Sequence, residues 1–186
     1  MTPFQKTVTP LSNSKWNVGD CLDISENQKS LLNDPKAVSI LNPITVPYKP
    51  LEDLIEDIRK FLGYYPQLCV RYLKKEHGIV QQLVTASEVF MEIRYREVTE
   101  GESHEALREE GITFLKSECD FFKGELIRLM VFREESNPQE LVVVLGIHYS
   151  LIDMHSNMIL SDSLQKFLFN EPIDTDYLTS FAYTEW

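Results

Sequence analysis

The chain has 186 residues, 43% of them hydrophobic, with 18 basic and 29 acidic side chains and a formal charge of −11. That length accommodates one domain with a sizeable core, and the negative charge repels phosphate backbones and anionic bilayers, which sets aside nucleic acid and membrane surfaces as partners. No apolar run approaches the ~20 residues of a bilayer span and the N-terminus lacks the apolar core of a signal peptide, so a soluble cytoplasmic protein is expected.

Residues 1–36 carry Pro3, Pro10, Asn13, Asn17, Asn27, Asn33 and Pro35 with little apolar periodicity, which predicts an irregular N-terminal head of loops and short helical pieces. The body, 37–186, opens on a strand. Apolar spacing then predicts a helix over 51–62 and strands over 67–74, 79–84 and 92–97. A helix over 102–117 begins in a charged stretch that reads as its solvated, capped start. Strands over 125–134 and 140–148 follow, joined by a hairpin near Pro138. Helices over 156–169 and 174–186 complete the chain. Cys21, Cys69 and Cys119 are odd in number and form no CxxC or Cys/His cluster, so buried reduced thiols are expected, with no metal.

The most informative segment is His148-Tyr149-Ser150-Leu151-Ile152-Asp153-Met154, which follows the apolar run 141–147 and precedes an amphipathic stretch. An apolar run of that length reads as a strand buried on both faces, so the segment sits at a strand-to-helix junction. It resembles the junction of nonribosomal peptide synthetase condensation domains, in the chloramphenicol-acetyltransferase-like superfamily, whose signature is HHxxxDG followed by xSxxxLxxxL. Further blocks agree in order and spacing. The helix over 51–62 followed by Tyr65-Pro66-Gln67-Leu68-Cys69-Val70-Arg71-Tyr72 is similar to the family's first long helix and HPxLRxRF strand. The stretch 78–83 is similar to GxPVQ, and the stretch from Asp120 through Gly124 and Leu126 to Arg128 matches the spacing of DLxxGPLLR. The segment 176–186 resembles YxDYAxWQxxW, and Pro10-Leu11-Ser12 echoes a PLS start. The resemblance implies an α+β fold, a mixed β-sheet with helices packed on one side, forming the N-terminal lobe of the two-lobed unit. The second lobe, which would complete an active-site tunnel, is not in this sequence.

The resemblance also assigns roles. His148 matches the first motif His, whose role is more structural than catalytic; a core imidazole bonded to backbone is the plainer expectation. Tyr149 stands at the catalytic His. A phenol stays protonated at neutral pH and is a poor general base, although it can donate a hydrogen bond to a carbonyl. Asp153 matches the Asp that holds the loop through an ion pair, with Arg71 as the implied partner, but Cys69 stands where many members carry the first Arg of LRxRF, which leaves that pairing open. A carboxylate at a buried junction calls for a cation or several backbone N–H groups beside it. Met154 replaces the motif Gly and would narrow the channel mouth. His155 is expected to cap or lie on the surface, and Ser156 opens the following helix.

Three functions remain open at this stage. The first is a catalytically impaired condensation-like lobe that acts as a structural, docking or carrier-recognising module in natural-product assembly. The second is half of a split acyl-transferring enzyme completed by another chain, and the third is a stand-alone binding protein. No bound cofactor is expected, although substrates would be presented on the phosphopantetheine of a carrier protein. The implied partners are a C-terminal condensation lobe or another synthetase component, with a homo-oligomer as a further possibility. Because carrier proteins are acidic, docking one would need a local basic patch, for which Lys74-Lys75 and Arg94/Arg96 are candidates.

Overall fold

The computed structural model describes residues 17–173. The elements are β1 (Cys21–Asp23), α1 (Glu26–Leu31), β2 (Val38–Ile40), β3 (Ile44–Pro47), α2 (Leu51–Leu62), β4 (Val70–Lys75), β5 (Gly78–Leu83), β6 (Met91–Val98), α3 (His104–Leu115), β7 (Ile127–Glu134), β8 (Glu140–His148) and α4 (Met154–Leu168). The helix expected over 174–186 lies outside the described residues, as does the PLS tripeptide.

β8 is the spine of a five-stranded sheet. One edge pairs antiparallel with β7, and the other with β2 near its end and β3 near its start. The single strand expected here is broken at Leu41-Asn42-Pro43, where proline cannot donate to the ladder. β6 joins β7 in parallel, and the connection runs through α3, so the sheet is mixed. A smaller antiparallel sheet, ordered β1-β5-β4, stands beside it.

α2 shows how sequence becomes packing. Its Leu54, Ile58, Phe61 and Leu62 recur at helical spacing and are wholly buried, each worth about 1.5–3 kcal/mol of burial. Glu52 and Asp53 in the first turn, with Arg59 and Lys60 in the last, complement the helix dipole. α2 and α4 share the main core with Leu129, Val131, Val143 and Leu145, whereas α3 places Phe114 and Leu115 on Met130 and Val144 across the opposite face. The fold is the expected α+β lobe with a mixed sheet, in which α2 and α4 cover one face of the large sheet and α3 packs on the other. Strand alternation is the cause, because β7 and β8 are apolar at odd and even positions alike.

The described part of the head, from residue 17 onward, packs into the body. Cys21–Asp23 pairs with β5, Ile24 lies in the main core, and Ser25 and Gln28 form a reciprocal capping box at the start of α1. Cys69 and Cys119 are buried free thiols, but Cys21 is exposed, because β1 is an edge strand. Burial pushes the Cys69 thiol up to about 12.

Candidate functional site

β8 ends at His148, and six residues later, at Met154, α4 begins. His148 is wholly buried. Its Nδ1 accepts the Ser150 backbone N–H at 3.1 Å and lies 2.9 Å from Ser150 Oγ, while Nε2 is 2.9 Å from the Asp34 carbonyl. A carbonyl only accepts, so Nε2 carries the proton and the ring is neutral. Burial pulls its pKa below the usual imidazole value, against the Asp34 carbonyl and with help from the Arg128 charge. Phe121 packs edge-on against the ring at 4.9 Å. Both nitrogens are thereby committed to holding residues 34 and 150 together.

Tyr149 belongs to the other side of the junction. Its N–H donates to the Ala37 carbonyl at 2.8 Å, and its half-buried side chain lines a cavity of about 470 Å³ that His148 does not reach. The Ser150 carbonyl, also on the wall, accepts from Tyr72 Oη and Gln28 Nε2, each at 3.3 Å. Gln28 Nε2 also donates to Gln81 Oε1 at 3.1 Å, and its Oε1 accepts the Ser25 N–H at 3.0 Å. This chain of amides and hydroxyls joins the head, the small sheet and the motif loop. Burial pushes the Tyr72 phenol up to about 12.

Asp153 differs from expectation. It is the N-cap of α4 and takes the Ser156 N–H on Oδ1 at 2.7 Å. Partial burial opposes its charge, but the Ser156 bonds and nearby His155 outweigh that and lower its pKa. Arg71 is not its partner: it projects from the exposed face of β4 and donates twice to Gln82 Oε1, at 2.8 and 2.6 Å. Strand alternation causes this, since Tyr72, not Arg71, faces the motif. Met154 is 76% exposed at the cavity rim, His155 is exposed, and Ser156 lines the cavity.

Arg128, expected to flank the motif, does not line the cavity. It is 2% exposed, pairs with Glu92 at 2.8 Å, and donates to the carbonyls of Ser117 and Glu118, both at 2.8 Å, after α3. A buried guanidinium here satisfies carbonyls of the turn that follows the helix. Three of the candidate basic residues are also engaged. Lys74 sits over the Phe122 ring and Arg94 over Phe114, while Arg96 pairs with Glu102 and Glu110.

Sequence reasoning missed Asp23, Ser25, Gln28 and Gln81 as cavity residues. The Ser25-x-x-Gln28 spacing was a readable helix-start signal, but the packing of that helix on residue 150 is a tertiary fact. Among the described residues no three His, Cys, Asp or Glu side chains converge as a metal site would require, and no helix is long and apolar enough to cross a membrane.

The sequence matches no protein-family model and no curated protein. Its fold, however, is shared with solved condensation domains. The condensation domain of the Monacolin K polyketide synthase aligns over 88% of this chain with a TM-score of 0.61 at 14% identity. One that mediates chain release from the enacyloxin polyketide synthase aligns over 85% with a TM-score of 0.63 at 15% identity. A four-domain nonribosomal peptide synthetase, solved bound to AMP and glycine, aligns over 92% with a TM-score of 0.66 at 17% identity. The chain spans only 39%, 34% and 14% of those chains respectively. Its fold is that of one lobe of a condensation domain.

Proposed function

We propose that the chain is a condensation-domain-like lobe serving nonribosomal peptide or polyketide assembly, and that by itself it is a non-catalytic structural, docking or carrier-recognising module. The observation that carries this reading is the placement of Tyr149. Of the motif positions 148 and 149, only Tyr149 lines the cavity, no imidazole lines that cavity, and the His148 nitrogens are spent on Asp34 and Ser150. A cavity without an imidazole lacks the usual group for accepting a proton from an attacking amine or hydroxyl near neutral pH. The multidomain neighbours make other synthetase components the natural partners.

The test is product formation, measured by mass spectrometry, with carrier-bound acyl donors and amine acceptors. The isolated chain gives none above background, and Tyr149→His does not restore it, because the donor and acceptor are positioned between two lobes. Turnover by the chain alone overturns the proposal. A second reading, half of a split acyl-transferring enzyme, is favoured by one observation: Met154 on the cavity rim and Met158, one helical turn further along α4, are 76% and 70% exposed. Activity that appears only on adding a separate C-terminal lobe would select it.

A further inference from the structure

β6 is an open edge of the large sheet. Among the described residues it pairs with β7 alone, and residues 91–96 make no other backbone hydrogen bond. Over its 8 residues, about 26 Å, every second N–H and C=O therefore points outward, which is a template for a further strand. Natural edges of this length are blunted by proline, a bulge or a cluster of lysines. β6 has none of these, and its charges, Glu92, Arg94, Arg96 and Glu97, are of both signs. Two of them keep bonding capacity. Arg94 is exposed, stacks on Phe114 at 4.3 Å and has no carboxylate partner among the described residues. Glu92 gives Oε2 to Arg128, and its Oε1 accepts no hydrogen bond among those residues. Both lie on the α3 face of the sheet. On the other face Met91 belongs to the main core, Ile93 packs against it and Tyr95 is 37% exposed.

The order of these charges selects an occupant. When a second copy of β6 lies antiparallel across a two-fold axis at Ile93, each Glu92 stands opposite the other copy's Arg94, and each Met91 opposite the other copy's Tyr95. Phe90, 47% exposed just before the strand, comes opposite Arg96, where a guanidinium can lie over its ring. Moving the axis to Glu92 or to Arg94 sets that charge against its own copy, and moving it to Tyr95 sets Arg94 against Arg96. Turning one copy over puts Arg94 opposite Met91, Ile93 or Tyr95. Unlike charges directly opposed support a strand pair and like charges destabilise it, which leaves the axis at Ile93. Two copies of a chain with net charge −11 repel at long range, so short-range matching of this kind is what can hold them.

We propose that two copies of this chain join β6 to β6, antiparallel about Ile93, so that the sheet runs through the interface and each Glu92 pairs with the other copy's Arg94. This holds whether or not the chain has an assembly-line role, and it does not involve Met154. Sedimentation of the full chain at rising concentration reads the association. Arg94→Glu turns two attractive pairs into repulsive ones and raises the dissociation constant at least about tenfold, with the melting temperature unchanged because Arg94 is exposed; Arg94→Lys keeps most of the affinity. Register is read by oxidative cross-linking in a Cys21→Ser background, which removes the exposed native thiol. Ile93→Cys places two thiols directly opposite each other, with Cβ atoms about 5 Å apart, whereas Tyr95→Cys leaves them out of step by about 13 Å along the strand, beyond disulfide reach. Ile93→Cys therefore cross-links at least about tenfold faster, although Tyr95 is the more exposed side chain. A chain that stays monomeric up to about 1 mM, the weak end of specific association, overturns the proposal. So does a dimer indifferent to Arg94→Glu, or cross-linking at position 95 as fast as at position 93.

Discussion

At Asp153 the carboxylate works on the backbone, satisfying an orphan N–H at the start of α4. Asp153→Ala is expected to lower stability by about 1 kcal/mol, the typical loss for a helix cap, and Asp153→Asn to retain most of it. Thermal unfolding measures both; equal losses for the two would point to an ion pair instead. His148 sets a pH dependence. Its folded pKa lies below its ordinary value of 6.5, so between the two the unfolded chain binds more protons than the folded one. Stability from the neutral ring is therefore fully present above about 6.5 and is lost as pH falls through that value toward the lower folded pKa. Melting temperature against pH should show this decline in the native chain and a flatter profile in His148→Gln. Identical slopes in the two would mean that another group is responsible.

At the scale of elements, the junction depends on how α3 and β2 clamp β8. Gly146 has no side chain, and a Cβ there would lie 3.2 Å from both Leu115 Cδ2 and Val38 Cγ1. Alanine regains roughly 0.5–1 kcal/mol of backbone entropy in a strand, but overpacking a well-filled core costs about 1–3 kcal/mol. Gly146→Ala is thus expected to be net destabilising, as read by the denaturant midpoint, and an unchanged or raised midpoint would show that α3 yields. α4 is held from the other side: Asn157 donates to Ser39 Oγ and the Ile40 carbonyl, and Ser161 Oγ accepts the Asn42 N–H at 3.3 Å. These polar ties fix where the helix begins, and with it the rim of the cavity.

At the scale of the molecule, the lobe leaves apolar surface beside its cavity, with Met154 and Met158 projecting from the first turns of α4. Both are exposed, so Met154→Glu should leave stability within about 0.5 kcal/mol of the native value. The same substitution should weaken binding to a complementary condensation lobe or self-association, through a contact burying at least about 1,000 Å² if it is specific. Light scattering and calorimetry with candidate components report it. A chain that stays monomeric at high concentration, binds no such component and is indifferent to Met154→Glu would favour the stand-alone binding reading.

The helix at Leu51–Leu62 and the strand at Glu140–His148 were legible from the sequence to the residue, because apolar periodicity over a dozen residues, or an unbroken apolar run, records burial directly. The motif junction was legible too, together with the replacement of its second His by Tyr149. Tertiary structure alone decided which side chains share the cavity. Asp23, Gln28 and Gln81 come from segments more than sixty residues away from Tyr149 in the chain, and no local pattern encodes that meeting. The same holds for Asp153, whose carboxylate could have paired with Arg71 or capped a helix. Strand alternation at β4 turned Arg71 outward to Gln82, and the extended backbone at residue 153 placed the carboxylate over the Ser156 N–H. Local spacing sets which elements form; which faces meet is set by register and packing between distant elements.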